Sequence, residues 1–261
     1  MRTLPDLRRE RDEVCRLVPR RALETLDEAE EFLRDRGLLT RLPDCSLPSL
    51  FGACHEEPYR PGSRGFGLWP RTKWPWAFEL AGRPGVHVLG IRRGKGLYVT
   101  EQIAALVDPL AREELARIEG GSLGPEAARV VAHLDAAGPS LLEDLREEVG
   151  IDARRLRPKL ERHAAVVARA VVTDKGNTSE LERWDQVFPT PAGGGLSELI
   201  VAGVRAAVVA PEDELSSWFS WRVLGSLLDD LVDDGRLLRP EPGWISAAET
   251  ASPQGRGRPE P

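Results

Sequence analysis

The sequence predicts a mainly α protein with short β hairpins, an α+β fold. Three observations carry this. Apolar residues recur at helical spacing in several segments that end at Gly or Gly-Pro. Strand-like alternation is confined to short runs, foremost residues 86–99. Hydrophobic residues make up 41% of the 261 against 30% charged, a balance suited to buried cores rather than to disorder.

The elements follow in chain order. Residues 6–18 are charged, with Leu7, Val14, Leu17 and Val18 on the apolar side of a helix. Thr25 with Glu28 forms a capping-box pair, so a helix is expected over 26–36, stopped by Gly37. Pro43 and Pro48 break regular structure after Leu38-Leu39. Residues 51–76 mix Gly and Pro with Phe51, Tyr59, Phe66, Trp69, Trp74 and Trp76. So many large rings seldom stay solvated, which predicts an ordered irregular stretch. Val86, Val88 and Ile91 mark one strand and Leu97-Tyr98-Val99 the next, with Arg92-Arg93-Gly94-Lys95-Gly96 as the turn between them. Residues 101–118 read as a helix interrupted near Pro109, and the Gly-rich run 120–125 as a break.

From Pro125 the pattern becomes that of a small helical module. Helices are expected over 126–137, over 141–149 with Ser140 and Glu143 as its capping box, and over 153–163 with Asp152 as its cap. An apolar strand, 164–172, follows. Helix, helix, turn, helix, strand is the order of a winged helix. A similar order recurs in a helix 196–206, Val208-Val209, a short helix from Pro211, a longer one over 220–234 and two strands around the turn 240–243. The expected organisation is tandem winged-helix modules: a winged-helix-like region 1–120 with a basic hairpin, a central winged helix 121–190, a C-terminal one 191–248 and a disordered tail 249–261.

Charge separates these parts. The net charge is −6, yet residues 59–98 hold eight cations against Glu79 alone, so this stretch is +7 and the rest of the chain −13. A local basic patch binds phosphate whatever the total charge, because fields are screened within about 8 Å. Arg92, Arg93 and Lys95 at the hairpin are candidate phosphate contacts, as are Arg71 and Lys73. Trp74 and Trp76 are candidates for stacking on bases, or alternatively for packing beneath the hairpin. In the helix after Asp152, Leu156 and Leu160 share a face with Ala153 and Ala164, while Arg155, Lys159 and Arg162 share another. That is the form of a recognition helix, or of a solvated basic face. Pro158 removes a hydrogen bond there at a cost of roughly 3 kcal/mol, so the helix is expected to begin later than residue 153. The last module shows Asp229, Asp230, Asp233 and Asp234 beside a core stripe of Trp221, Leu224, Leu227, Leu228 and Leu231. Four carboxylates repel phosphate, so that module is expected to be structural or to face a protein partner.

No run of about 18 apolar residues reads as a membrane span, and the N-terminus has no apolar signal core. Cys15, Cys45 and Cys54 are too far apart for a metal knuckle, and Cys54-His55-Glu56-Glu57 lacks finger-like spacing. With no P-loop, GxSxG or HExxH signature, the expectation is a cytoplasmic protein without metal or cofactor.

The succession Trp74-Pro75-Trp76, Phe78-Glu79-Leu80 and Arg92-Arg93-Gly94-Lys95, with Leu47-Pro48-Ser49-Leu50-Phe51, resembles the AlkZ-type (YcaQ-like) winged-helix DNA glycosylases, most closely their AlkZ-related branch. The resemblance implies tandem winged helices and a β-hairpin on duplex DNA, including damaged DNA. In catalytic members it implies hydrolysis of the N-glycosidic bond of an alkylated or crosslinked base. Such members carry Gln-X-Gln or Gln-X-Asp after a Gly-Leu-Leu stretch. Here Gly37-Leu38-Leu39 is followed by Thr40-Arg41-Leu42, and Asp44 is out of register, so no catalytic residue is carried over. The alternatives are a non-catalytic winged-helix transcriptional regulator and a protein-interaction module.

Overall fold

Three antiparallel sheets of three strands each organise the chain in a computed structural model that describes residues 2–174 and 176–248. The expected tail 249–261 lies outside the described residues.

The first sheet follows α1 (Leu4–Val14) and α2 (Leu26–Arg36). The Thr25 hydroxyl accepts from the Glu28 N–H at 3.2 Å, and the Glu28 carboxylate accepts from the Glu24 N–H at 2.8 Å. Gly37, at φ +80°, ends α2 as expected. The sheet is built from β1 (Leu38–Thr40), β2 (Val86–Arg92) and β3 (Lys95–Thr100), with the short α3 (Trp76–Glu79) between β1 and β2. The long α4 (Glu101–Glu119) leads to the second unit: α5 (Pro125–Ala137), β4 (Ser140–Leu141), α6 (Leu142–Val149), α7 (Ala153–Arg162), β5 (Val166–Thr173) and β6 (Gly176–Arg183). After α8 (Trp184–Val187) come α9 (Leu196–Ala207), β7 (Val209–Pro211), a 3-10 turn (Glu212–Ser217), α10 (Gly225–Asp233), β8 (Leu237–Leu238) and β9 (Trp244–Ala247).

The strand orders are β1-β3-β2, β4-β6-β5 and β7-β9-β8. Each unit therefore runs helix, strand, helical segment, then hairpin, and its last strand lies in the middle of its sheet. One topology occurs three times in a chain whose sequence shows no repeat.

Several expectations need correction. Pro109 does not interrupt α4. The helix is held along its length by buried Ile103, Val107, Ala111 and Leu115, which outweighs one missing hydrogen bond. Pro158 likewise sits inside α7, which begins at Ala153 because Asp152 accepts from the Arg154 N–H at 3.3 Å and Leu156 and Leu160 are buried. The Ser140–Glu143 capping box does not form, since Ser140 is a strand residue paired with Leu181 and its hydroxyl donates to the Gly138 carbonyl. α10 starts at Gly225 rather than 220, because the Ser220 hydroxyl ties that segment to the Ile91 carbonyl at 2.7 Å. Leu224, expected in its core stripe, is exposed.

Packing joins the first and third units. Leu89, Ile91 and Leu97 share one apolar core with Val107 of α4, Ile200 and Val204 of α9, and Trp218, Phe219 and Ile245. The second unit has its own core, including Val130, Leu134, Leu145, Leu156, Leu160 and Leu181.

Candidate nucleic-acid interface

The β2–β3 hairpin turns on two residues. Arg93 at φ +50° and Gly94 at φ +83° give the left-handed pair that matches strand twist, between the cross-strand pair Arg92 and Lys95. The cations at this tip have different fates. Arg92 is only 7% exposed, with Nη1 at 2.7 Å from the Asp44 carboxylate. It is a structural group, and the expectation that it meets phosphate is corrected: a guanidinium already desolvated onto a carboxylate has no free face to offer. Lys95 also reaches Asp44 but keeps most of its side chain in solvent. Burial pushes the Asp44 carboxyl up, yet the bonds from Lys95 and Arg92 outweigh it and hold it below the usual carboxylate range. Arg93 is exposed, and its guanidinium donates to the Ser216 carbonyl at 3.4 Å.

β2 packs directly on α7. A Cβ built on Gly90 falls 2.6 Å from the Cβ of Glu161 and 3.2 Å from its carbonyl carbon, so only glycine permits this approach. One built on Gly94 lies 3.9 Å from the Pro158 carbonyl oxygen, which sets the hairpin tip beside the middle of α7. Arg162, Arg155 and Lys159 lie roughly 40–100° round the helix from Pro158, on one side. The Arg155 side chain is 88% exposed and 3.7 Å from Asp152. Lys159 and Arg162 are exposed, and neither has a carboxylate within 4.0 Å among the described residues. The opposite side of α7 is neutralised within the protein: Arg157 donates to Glu161 and to the Ser179 hydroxyl, and Arg154 to Glu143. The folded chain thus brings the hairpin tip that carries Arg93 and Lys95 against α7 at Pro158 and Glu161, far apart as they are in sequence.

The aromatic segment divides as well. Lys73 is held by the Leu23 carbonyl at 2.6 Å and lies 5.3 Å from the Trp76 ring centre, while Trp76 packs on the inner core of the first unit. Both therefore act within the protein. Arg71 is exposed, and half-buried Trp74 stands edge-on to Phe66 and Phe78.

Where the glycosylase motif would fall, Thr40 is buried and its hydroxyl donates to the Leu42 carbonyl at 2.9 Å. Arg41 covers the Trp69 ring at 4.8 Å. These residues brace the β1 loop. The Cys54 thiol donates to the Leu50 carbonyl and the His55 ring bonds the Arg16 carbonyl, so both are turned to backbone. In the third unit α10 occupies the place of α7 and exposes Asp230 and Asp233, with Asp234 exposed just past its end.

A cavity of about 390 Å³ lies between β2, α4 and the segment after α8, lined in part by His87, Glu101, Asp108, Phe188 and Thr190. Asp108 is buried and saturated by Arg112, the Trp184 indole and the Ala192 N–H. Burial lowers the His87 pKa.

Comparison of the chain with protein families, with curated proteins and with solved structures finds no match.

Proposed function

We propose that the protein binds duplex DNA through a surface made jointly by the β2–β3 hairpin tip and the outer face of α7, each of its three units being a winged helix. The observation that supports this is the approach of Gly90 and Gly94 to Glu161 and Pro158, which brings the hairpin that carries Arg93 and Lys95 onto the helix that carries Arg155, Lys159 and Arg162. A helix showing cations on one face and burying Leu156 and Leu160 on another suits a groove. The strand order common to the units supports the winged-helix reading. No residue is assigned base excision, because Thr40 and Leu42 stand where the resemblance asks for Gln or Asp.

Arg155→Ala, Lys159→Ala and Arg162→Ala together test it by fluorescence anisotropy on labelled duplex over a range of salt. Each lost phosphate contact removes about 0.9 from the slope of log K against log salt, so the slope is expected to flatten by about 2–3 and affinity to fall for every sequence. All three side chains are exposed, so thermal melting should not change. An unaltered slope refutes the reading. Release of abasic sites from alkylated or crosslinked duplex by the wild type would add catalysis to it.

A further inference from the structure

We infer that the loop running from Glu56 to Leu80 is a second binding site, a stacking platform for single-stranded nucleic acid. Five rings touch in sequence: Tyr59 with Phe66 at 5.6 Å, Phe66 with Trp69 at 4.9 Å and with Trp74 at 5.4 Å, and Phe78 with Trp69 at 5.8 Å and with Trp74 at 6.3 Å. Such a cluster ordinarily seals a core. Here Tyr59 is 46% exposed, Phe66 44% and Phe78 51%, so each is packed on one side and wet on the other. Contiguous exposed rings of this kind mark a binding surface.

The backbone fixes the rings in place. The Tyr59 N–H donates to the Trp69 carbonyl at 2.6 Å, the Arg60 N–H to Gly67 at 2.9 Å, and the Glu56 carboxylate accepts from the N–H groups of Thr72 and Lys73. Ordering entropy is therefore met on folding, not on binding.

Charge selects the occupant. Arg60, Arg64 and Arg71 are exposed around the rings, and none has a carboxylate within 4.0 Å among the described residues. Glu56 is engaged on backbone, which leaves Glu57 and Glu79 as the exposed acids of the segment. Arg60 lies 5.8 Å over the Tyr59 ring, and apolar faces bordered by guanidinium groups that no carboxylate engages match unpaired bases on a phosphate backbone. A duplex keeps its base faces stacked inside and cannot use them. The site shares no residue with the α7 surface and stands independently of it.

The test is anisotropy of a labelled single-stranded thymidine oligonucleotide with the full chain. The wild type is expected to bind it, and Phe66→Ala and Phe78→Ala each to weaken binding by about 5- to 100-fold. Arg64→Gln with Arg71→Gln alters only exposed groups, so folding is not at issue. It should flatten the salt dependence by about 1.4, at 0.7 per contact on single strands. Duplex affinity should stay unchanged in all of these. A wild type that fails to bind the oligonucleotide overturns the inference and leaves the rings to a protein partner. Undiminished binding by folded ring variants and by the arginine variant overturns it too. Single-strand binding by a wild type that binds no duplex sinks the duplex reading alone.

Discussion

Replacing Asp108 by alanine should damage the fold more than any change to the basic surface. The side chain is 2% exposed in α4, and its two oxygens take every bond they can. Arg112 Nε lies 2.9 Å from both, the Trp184 indole N–H 2.7 Å from one, and the Ala192 N–H 2.8 Å from the other. One carboxylate thus ties α4 to α8 and to the segment leading into α9. Its removal strands a buried indole N–H, a backbone N–H and a mostly buried guanidinium. Breaking a buried charge pair from one side costs about 3–5 kcal/mol. At about 2–4 °C per kcal/mol for a chain of this size, the midpoint of a thermal melt should fall by about 6–20 °C. Circular dichroism melts and urea unfolding measure it, and a loss below about 1 kcal/mol would refute the reasoning. The effect also has a pH signature. Burial pushes the Asp108 carboxyl up, but the bonds from Arg112, Ala192 and Trp184 outweigh it and set its pKa below the ordinary value. A depressed folded pKa gives stability that is complete above the unfolded value of about 3.9 and is lost as pH falls through the folded one. The acid limb of stability should therefore shrink in Asp108→Asn.

Two further outcomes follow from packing and burial. Gly90→Ala places a methyl group against Glu161 and should cost about 1–3 kcal/mol by overpacking, while weakening duplex binding by parting the hairpin from α7; an equally stable variant with native affinity would show that the two elements need not touch. Burial pushes the Cys15 thiol up to about 11 and the Cys54 thiol up to about 12, so neither should react with a thiol reagent in the native protein near pH 8, whereas both should react in denaturant.

Local chemistry made much of the fold legible. Thr25, Glu28 and Gly37 set both ends of α2, and Arg93-Gly94 set the hairpin turn, because caps and positive φ are properties of a few adjacent residues. The core face of α7 was likewise readable from Leu156 and Leu160. Three kinds of feature were not. β1 is three residues long and gives no period. β6, reading Gly-Asn-Thr-Ser-Glu-Leu-Glu-Arg, is too polar to resemble a strand, though Ser179, Leu181 and Arg183 alternate inward. Prolines 109 and 158 stay inside helices because tertiary packing outweighs a lost bond. At the candidate interface, sequence placed the cations but not their partners. Asp44 takes Arg92 inward, and the Leu23 carbonyl takes Lys73, through contacts that no local pattern encodes. Nor could sequence tell which rings of 51–76 end half in water.

The core shared by the first and third units bears on how the protein is made. Leu89, Ile91 and Leu97 are made more than a hundred residues before Trp218, Phe219 and Ile245, which belong to the same core. The second unit carries its own core and can settle while the chain is still growing. The hairpin gains partners at once from Ile103 and Val107 of α4, but the part of its core that includes Trp218, Phe219 and Ile245 is completed only after the synthesis of more than a hundred further residues. That part of the core is finished only when the third unit arrives, and a chain cut before residue 218 would leave it open to aggregation.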